Sequence, residues 1–156
     1  GDLETENDAA RIRAKGVPAH QITTGTACHL DAHMIHDALH HVPLRGLDVL
    51  FIENVGNLVC PASFDLGQHR NVTLLSVTEG DDKPFKYPAI FSKAKVTVLT
   101  KVDLLPYVDF DVEAVKRQVG TLNPSASFLE VSARTGEGMD AWCSLLEGEL
   151  GRKRSS

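Results

Sequence analysis

Two cysteines and a histidine are the side chains in this sequence best suited to hold a transition metal. Cys28 and His29 are adjacent within "TGTACHLDAHMIHDALHH" (residues 24–41), and Cys60 lies directly before Pro61. Two thiolates and an imidazole suit Zn²⁺ or Ni²⁺, with water or a partner's residue completing the coordination. The alternative is that both cysteines are small buried hydrophobic residues, and the spacing alone does not exclude it.

Histidines are concentrated in the same stretch, which holds five of the seven in the chain. On a helix of about 100° per residue, His29, His33, His36 and His40 fall within about 60° of one another, opposite an apolar half. Histidines three and four residues apart can share a transition metal. Two interpretations stay open: an ordinary solvated face that uses histidine, or a low-affinity nickel-binding surface.

Two polar loops have residues suited to guanine recognition. In "TKVD" (residues 100–103), the Asp103 carboxylate can accept from the guanine ring N–H and its exocyclic amine, while the stem of Lys101 packs along the base. In "VSARTG" (residues 131–136), the backbone N–H of Ala133 can donate to the guanine carbonyl. Each loop alone is weak, but together and in this order they predict a GTP site.

A third loop has the residues needed near a nucleotide phosphate. In "FIENVGNLVCPASFDLG" (residues 51–67), Glu53 ends an apolar run and Gly56 follows it. A carboxylate near the water shell of Mg²⁺ and a glycine that permits close backbone approach suit a magnesium site and a γ-phosphate sensor.

The elements that must position these loops follow from hydrophobic periodicity. Short apolar runs predict strands at 47–53, 71–77, 95–100 and 127–131, with a further possible strand at 19–23. Helical spacing predicts helices at 5–15, 29–41, 111–122 and 137–150. This alternation predicts an α/β fold, a mostly parallel sheet with helices on both faces, whose ligands bind at the carboxyl ends of the strands.

Composition predicts one domain over residues 1–150, followed by a basic tail at 151–156 that is expected to be disordered. The net charge of −5 argues against nucleic-acid binding, and the chain has no apolar run long enough for a membrane span. Three cysteines without a disulfide-type spacing favour a reducing cytoplasm. The third, Cys143, lies in an amphipathic segment and is expected to pack or to lie at the surface.

The motifs resemble, nearly end to end over about residues 1–147, the HypB family of hydrogenase nickel-incorporation GTPases. The matching segments are "GDLETENDAARI", "TGTACHLDAHMI", "FIENVGNLVCPASFDLG", "SVTEGDDKPFKYP", "TKVDLLPYVDFD" and "SARTGEGMDAW". The resemblance implies a P-loop NTPase fold of the SIMIBI class. It also implies a homodimeric GTPase that works with HypA-like accessory proteins to load nickel into the large subunit of [NiFe]-hydrogenase.

The resemblance also implies roles for individual residues. Asp2 and Glu53 would lie near Mg²⁺ and serve catalysis, and Cys28, His29 and Cys60 would bind Ni²⁺ or Zn²⁺. The expected nucleotide-binding residues are Gly56, Thr100, Lys101, Asp103, Ser132 and Ala133.

The sequence departs from the family in two ways. No Gly-rich loop ending in Gly-Lys-Ser/Thr occurs in the 156 residues, and Thr100 stands where the family usually has Asn. The chain is therefore expected to be a fragment that hydrolyses GTP poorly or not at all. The alternative function is a non-catalytic module that binds metal and dimerises.

Overall fold

The structure is a computed structural model that describes residues 1–2 and 6–155. Contacts among them form two compact units, one spanning Gly1–His69 and one that starts at Arg70. The single domain stays a prediction from the sequence, and the described three-stranded sheet lies wholly in the second unit. None of the described helices is both long enough and apolar enough to cross a membrane.

The first unit has few regular elements among its described residues. Helix α1 spans Asn7–Arg13, helix α2 spans Ala32–Leu39, and a short 3-10 turn covers Cys60–Ser63. Helix α2 is shorter than the predicted 29–41 because the Asp31 side chain caps it, accepting a hydrogen bond from the Met34 backbone N–H at 2.8 Å. Thr5, the first residue of the predicted helix 5–15, lies outside the described residues.

Two predicted strands of the first unit are wrong. Residues 47–53 are irregular, and the predicted strand at 19–23 is reduced to a single parallel bridge between Thr23 and Asp2. A strand is stable only beside a hydrogen-bonded neighbour, and the described sheet pairs only three strands, all from the second unit. Four apolar side chains of the 47–53 run are instead exposed: Leu47, Val49, Leu50 and Phe51.

The second unit is built on a three-stranded parallel sheet in the order β1, β2, β3. The strands are β1 (Val72–Ser76), β2 (Val96–Thr100) and β3 (Ser127–Val131). All three were predicted to within two residues, since they are nearly continuous apolar runs of the kind that parallel sheets bury on both faces. In register, Thr100 at the end of β2 pairs with Val131 at the end of β3.

Four helices belong to this unit: α3 (Lys83–Lys86), α4 (Pro88–Lys93), α5 (Val112–Leu122) and α6 (Met139–Ser155). Helix α6 packs Trp142 and Leu145 against the face of the sheet that carries Val96 and Val98. On helix α5, Lys116 forms an ion pair of 2.7 Å with Glu130 of β3. Successive strand residues point to opposite faces, so Glu130 lies on the face opposite Val96 and Val98. Helices therefore cover both faces, and the predicted α/β class is confirmed.

The helix predictions failed at two places in this unit. Helices α3 and α4 were missed because Pro84 and Pro88 suggest turns, whereas both occupy the first turn of a helix, where proline is tolerated. Helix α6 continues to Ser155, beyond the predicted end of this helix at residue 150 and into the predicted tail. Its basic residues Arg152, Lys153 and Arg154 lie in the last turn, where they complement the helix dipole. Ser156 lies outside the described residues.

Candidate functional site

The two predicted metal-binding cysteines lie side by side in the first unit. The Sγ atoms of Cys28 and Cys60 are 2.7 Å apart although 32 residues separate them in the chain. Both are free thiols, with Cys28 exposed and Cys60 half-buried. The alternative that both are buried hydrophobic residues does not hold, and the pair is open to an incoming ion.

Two asparagines hold the cysteine loops together. Asn57 donates from Nδ2 to the carbonyl of Cys28 at 2.7 Å, and its Oδ1 accepts from the backbone N–H of Cys60 at 2.8 Å. Asn54 Oδ1 accepts from the backbone N–H groups of Leu30 and Val55 at 2.9 and 2.8 Å. One short segment thus fixes the backbone of both cysteine loops.

His29 lies next to the thiols, and its ring contacts both Cys28 and Phe64. Its Nδ1 is 3.7 Å from Cys28 Sγ, and its ring stacks on Phe64 with centroids 3.7 Å apart. His29 precedes α2, so its predicted place in the helical histidine stripe is wrong, because the Asp31 cap starts the helix after it. Across residues 1–2 and 6–155, no three His, Cys, Asp or Glu side chains are arranged to hold one ion.

The donor set still fits a thiophilic divalent ion. Two thiolates and an imidazole are ligands that Zn²⁺ and Ni²⁺ accept. On a tetrahedral ion with metal–sulfur bonds of about 2.3 Å, two sulfurs lie about 3.8 Å apart, so these thiols must separate by about 1 Å. The pKa of the Cys60 thiol is raised, mainly by its hydrogen bond with Cys28. Protons therefore compete with metal at this site more strongly than at an isolated thiol.

The predicted magnesium residues line one small cavity in the first unit. Asp2, Glu53 and Gly56 border a space of about 220 Å³, together with Gln21, Asn54 and a third carboxylate from Asp8. The backbone of Asp2 is held by the bridge to the 22–24 segment. Its N–H donates to the Ile22 carbonyl at 3.1 Å, and its carbonyl accepts from the Thr24 N–H at 3.0 Å. Carboxylate oxygens are the ligands that Mg²⁺ prefers, so the residue types suit that ion, although these three carboxylates are not arranged around one point.

The predicted guanine-binding loops meet in the second unit. They follow β2 and β3, whose carboxyl ends are in register. Ser132 is fully buried and donates from Oγ to Asp103 Oδ1 at 2.6 Å, while the same Oγ accepts from the Thr135 N–H at 3.2 Å. The hydroxyl orients the carboxylate, and the spare lone pairs of both carboxylate oxygens remain acceptors for a base.

Lys101 has an unusual backbone at the start of the "TKVD" loop. Its φ of 60° is the only positive value for a non-glycine residue in the described part of the chain. Such conformations are uncommon outside glycine and cluster at functional sites. The residue opens the 3-10 turn Val102–Tyr107 and leaves its own side chain exposed.

The remaining predicted nucleotide residues have different surroundings. Thr100 donates from Oγ1 to the Leu75 carbonyl at 3.3 Å, so its hydroxyl ties β2 to β1. Ala133 is exposed on the loop after β3. That loop is closed by Gly138, at a φ of +70°, where an added Cβ would lie 1.9 Å from the Glu130 carbonyl oxygen. Only glycine fits there.

Sequence reasoning missed several residues that shape these sites. They are Asp8 in the acidic cavity, Asn54 and Asn57 between the cysteine loops, and Phe64 under His29. The two asparagines carried a usable signal, since asparagine in a loop commonly bonds nearby backbone groups. Phe64 carried none, because its contact with His29 depends on the loop conformation.

Comparisons with known proteins agree on one family. The model described as "CobW/HypB/UreG, nucleotide-binding domain" matches residues 1–130. The hydrogenase maturation factor HypB of Escherichia coli K12 is 58% identical over 147 residues, which are 94% of this chain and 51% of that protein. The chain thus spans about half the length of the curated relatives it matches first.

Two solved structures have the same fold. A crystal structure of HypB from Helicobacter pylori in complex with nickel matches with a TM-score of 0.93 and 43% identity, covering 98% of this chain and 73% of that one. HypB from Archaeoglobus fulgidus matches with a TM-score of 0.87 and 45% identity, covering 96% and 73%. The predicted P-loop NTPase fold is confirmed by these neighbours.

Replacing Ser132 by Ala tests the buried hydrogen bond of the guanine loops. We expect the free energy of unfolding to fall by about 1–3 kcal/mol, since the change leaves the Thr135 N–H and Asp103 without a buried partner. Urea unfolding followed by the fluorescence of Trp142, the chain's single tryptophan, measures it. Ser125→Ala is the control, because that hydroxyl also bonds a side-chain oxygen, Asn123 Oδ1 at 2.7 Å, but is exposed. Equal losses in both variants would contradict the expectation.

Proposed function

We propose that this chain, which belongs to the CobW/HypB/UreG family and within it to the HypB hydrogenase maturation factors, acts in a GTP-dependent metallochaperone. The proposed task of that metallochaperone is to deliver nickel for [NiFe]-hydrogenase maturation. Nickel is the cargo in this proposal, and Cys28, His29 and Cys60 bind it. The proposed partners are a second copy of the chain, HypA-like accessory proteins and the hydrogenase large subunit.

The observation that carries the proposal is the meeting of Cys28 and Cys60. Two free thiols from segments 32 residues apart lie 2.7 Å from each other, with an imidazole beside them. A chain 43% identical over nearly all of this one was solved in complex with nickel. The exposure of Cys28 suits a cargo site, since an ion that must be handed on needs an open path to solvent or a partner.

The nucleotide part of the proposal assigns separate tasks to the two units. In the second unit, Asp103 is oriented by Ser132 and accepts from the guanine edge. Lys101 packs its stem along the base, and Thr100 opens the loop that carries Lys101 and Asp103. The Ala133 N–H donates to the base carbonyl. In the first unit, Asp2 and Glu53 would hold Mg²⁺, and Gly56 would allow close approach of a phosphate. When bound, Mg²⁺ neutralises charge on the phosphates.

The absence of a Gly-Lys-Ser/Thr loop from the 156 residues favours a second candidate function. Backbone N–H groups and a lysine normally cradle the phosphates, so these residues by themselves are proposed to turn over GTP poorly. The alternative is a module that binds metal and dimerises without catalysis. Both candidates share the metal site and differ in whether GTP is hydrolysed.

Removing either cysteine tests the metal site. We expect Cys28→Ala and Cys60→Ala each to weaken Ni²⁺ binding by about a hundredfold or more, since each removes a strong bond and negative charge beside the cation. The double variant should lose little more Ni²⁺ affinity than either single variant, because each single change already disrupts the site that both cysteines share. Titration calorimetry with Ni²⁺ measures this, with Cys143→Ala, a change at the third and also exposed cysteine, as the control. Tight binding that survives in both variants would refute the site.

Replacing Asp103 by Asn tests base recognition. The amide presents a donor where the guanine ring N–H needs an acceptor, so preference should shift from GTP towards XTP. Competition of GTP and XTP against a fluorescent GDP analogue measures it, and Asp109→Asn, at an exposed aspartate of the same unit, is the control. Unchanged guanine preference would remove Asp103 from the site. No nucleotide binding by the unsubstituted chain would favour the non-catalytic module.

A further inference from the structure

Among the described residues, the histidines of α2 and of the segment just after it form three side-chain pairs, and in only one of these do two imidazole planes cross. Four of these histidines are exposed: His33, His36, His40 and His41. The Nδ1 atom of His33 lies 3.2 Å from Oδ2 of Asp37. The pairs are His33 with Asp37, His20 with His41, and His36 with His40. All are separate from the thiol pair of Cys28 and Cys60.

The centroid spacing and crossing planes of the His36 and His40 rings are compatible with two ligands of one ion. Their centroids are 5.2 Å apart and their planes are at 88°. With metal–nitrogen bonds of about 2.1 Å and ligand angles of about 90° to 109°, two imidazoles on one ion have centroids about 4.5–5.3 Å apart. Residues four apart on a helix lie on one face, so the backbone already brings these two rings together.

The other pairs are less suited to chelation. The rings of His20 and His41 are stacked at 4.7 Å with only 14° between their planes. The lone pair of an imidazole nitrogen lies in the ring plane, so nearly parallel stacked rings cannot aim both lone pairs at one ion. The Nδ1 atom of His33 already contacts the Asp37 carboxylate. The remaining pair is His36 with His40, whose ring planes cross.

The charge around the His36 and His40 pair favours a cation. His36 lies in the last turn of α2 and His40 is its C-terminal cap, the end at which the helix dipole carries partial negative charge. Asp37 adds a carboxylate in the same turn, 3.2 Å from His33. No basic side chain other than histidine belongs to this helix.

We propose that His36 and His40 form a second metal site, which binds one Ni²⁺ or a similar divalent transition-metal ion through two imidazoles and solvent. With two protein ligands it binds more weakly than a site with two thiolates, and its remaining positions stay open to water. This inference does not depend on the proposed function, because it requires neither the cysteines nor a nucleotide.

Titration of the full chain with Ni²⁺ alone tests the proposal. The unsubstituted chain should bind a second, weaker equivalent, and His36→Gln combined with His40→Gln should remove it while the tighter equivalent stays. Each single change should weaken the second equivalent about tenfold or more, since one imidazole no longer chelates. Circular dichroism confirms that α2 persists, and both residues are exposed, so the fold should be unaffected.

Two control variants keep the test specific. His20→Gln combined with His41→Gln, and separately His33→Gln, should leave the second equivalent in place. The proposal is overturned if the chain binds no second equivalent, or if the His20 and His41 variant removes it and the His36 and His40 variant does not. Cys60→Ala should abolish only the tighter equivalent, so failure of the proposed cargo site and failure of this one give different titrations.

Discussion

The side chain of Asn57 is the constraint on which the proposed metal site depends. It bonds the carbonyl of Cys28 and the N–H of Cys60, and so joins the two loops that carry the thiols. The first unit needs such bonds, because its described residues contain two short helices, one 3-10 turn and a single bridge, but no strand ladder. Without a sheet, side-chain to backbone hydrogen bonds must fix where the loops lie.

The second unit positions its residues by the opposite means. Strand register brings the ends of β2 and β3 level, so the loops that follow them start at the same edge. One buried hydroxyl, that of Ser132, then joins the loops through Asp103. Register is set by the hydrophobic pattern, which is why this arrangement tolerates few alternatives.

This contrast explains what could be predicted from the sequence. The three strands and the meeting of the loops that follow β2 and β3 could be predicted from apolar runs and from the rule that parallel strands present their carboxyl ends at one edge. The run at 47–53 has the same apolar pattern and is not a strand, since pattern alone does not supply a pairing partner. The contact between Cys28 and Cys60 depends on loop conformations and asparagine bonds that periodicity does not reveal, and only the family resemblance suggested it.

Affinity for Ni²⁺ in an Asn57→Ala variant shows whether this side chain assembles the metal site, because the change leaves every proposed ligand in place. We expect Ni²⁺ to bind about 10–100 times more weakly, as when a group that orients metal ligands is lost. Asn123→Ala is the matched control, since Asn123 also bonds backbone groups, donating to the Ser92 and Ala94 carbonyls in the second unit. Competition with a chromophoric chelator measures both. Unchanged Ni²⁺ affinity in the Asn57 variant would contradict the claim that this side chain assembles the site.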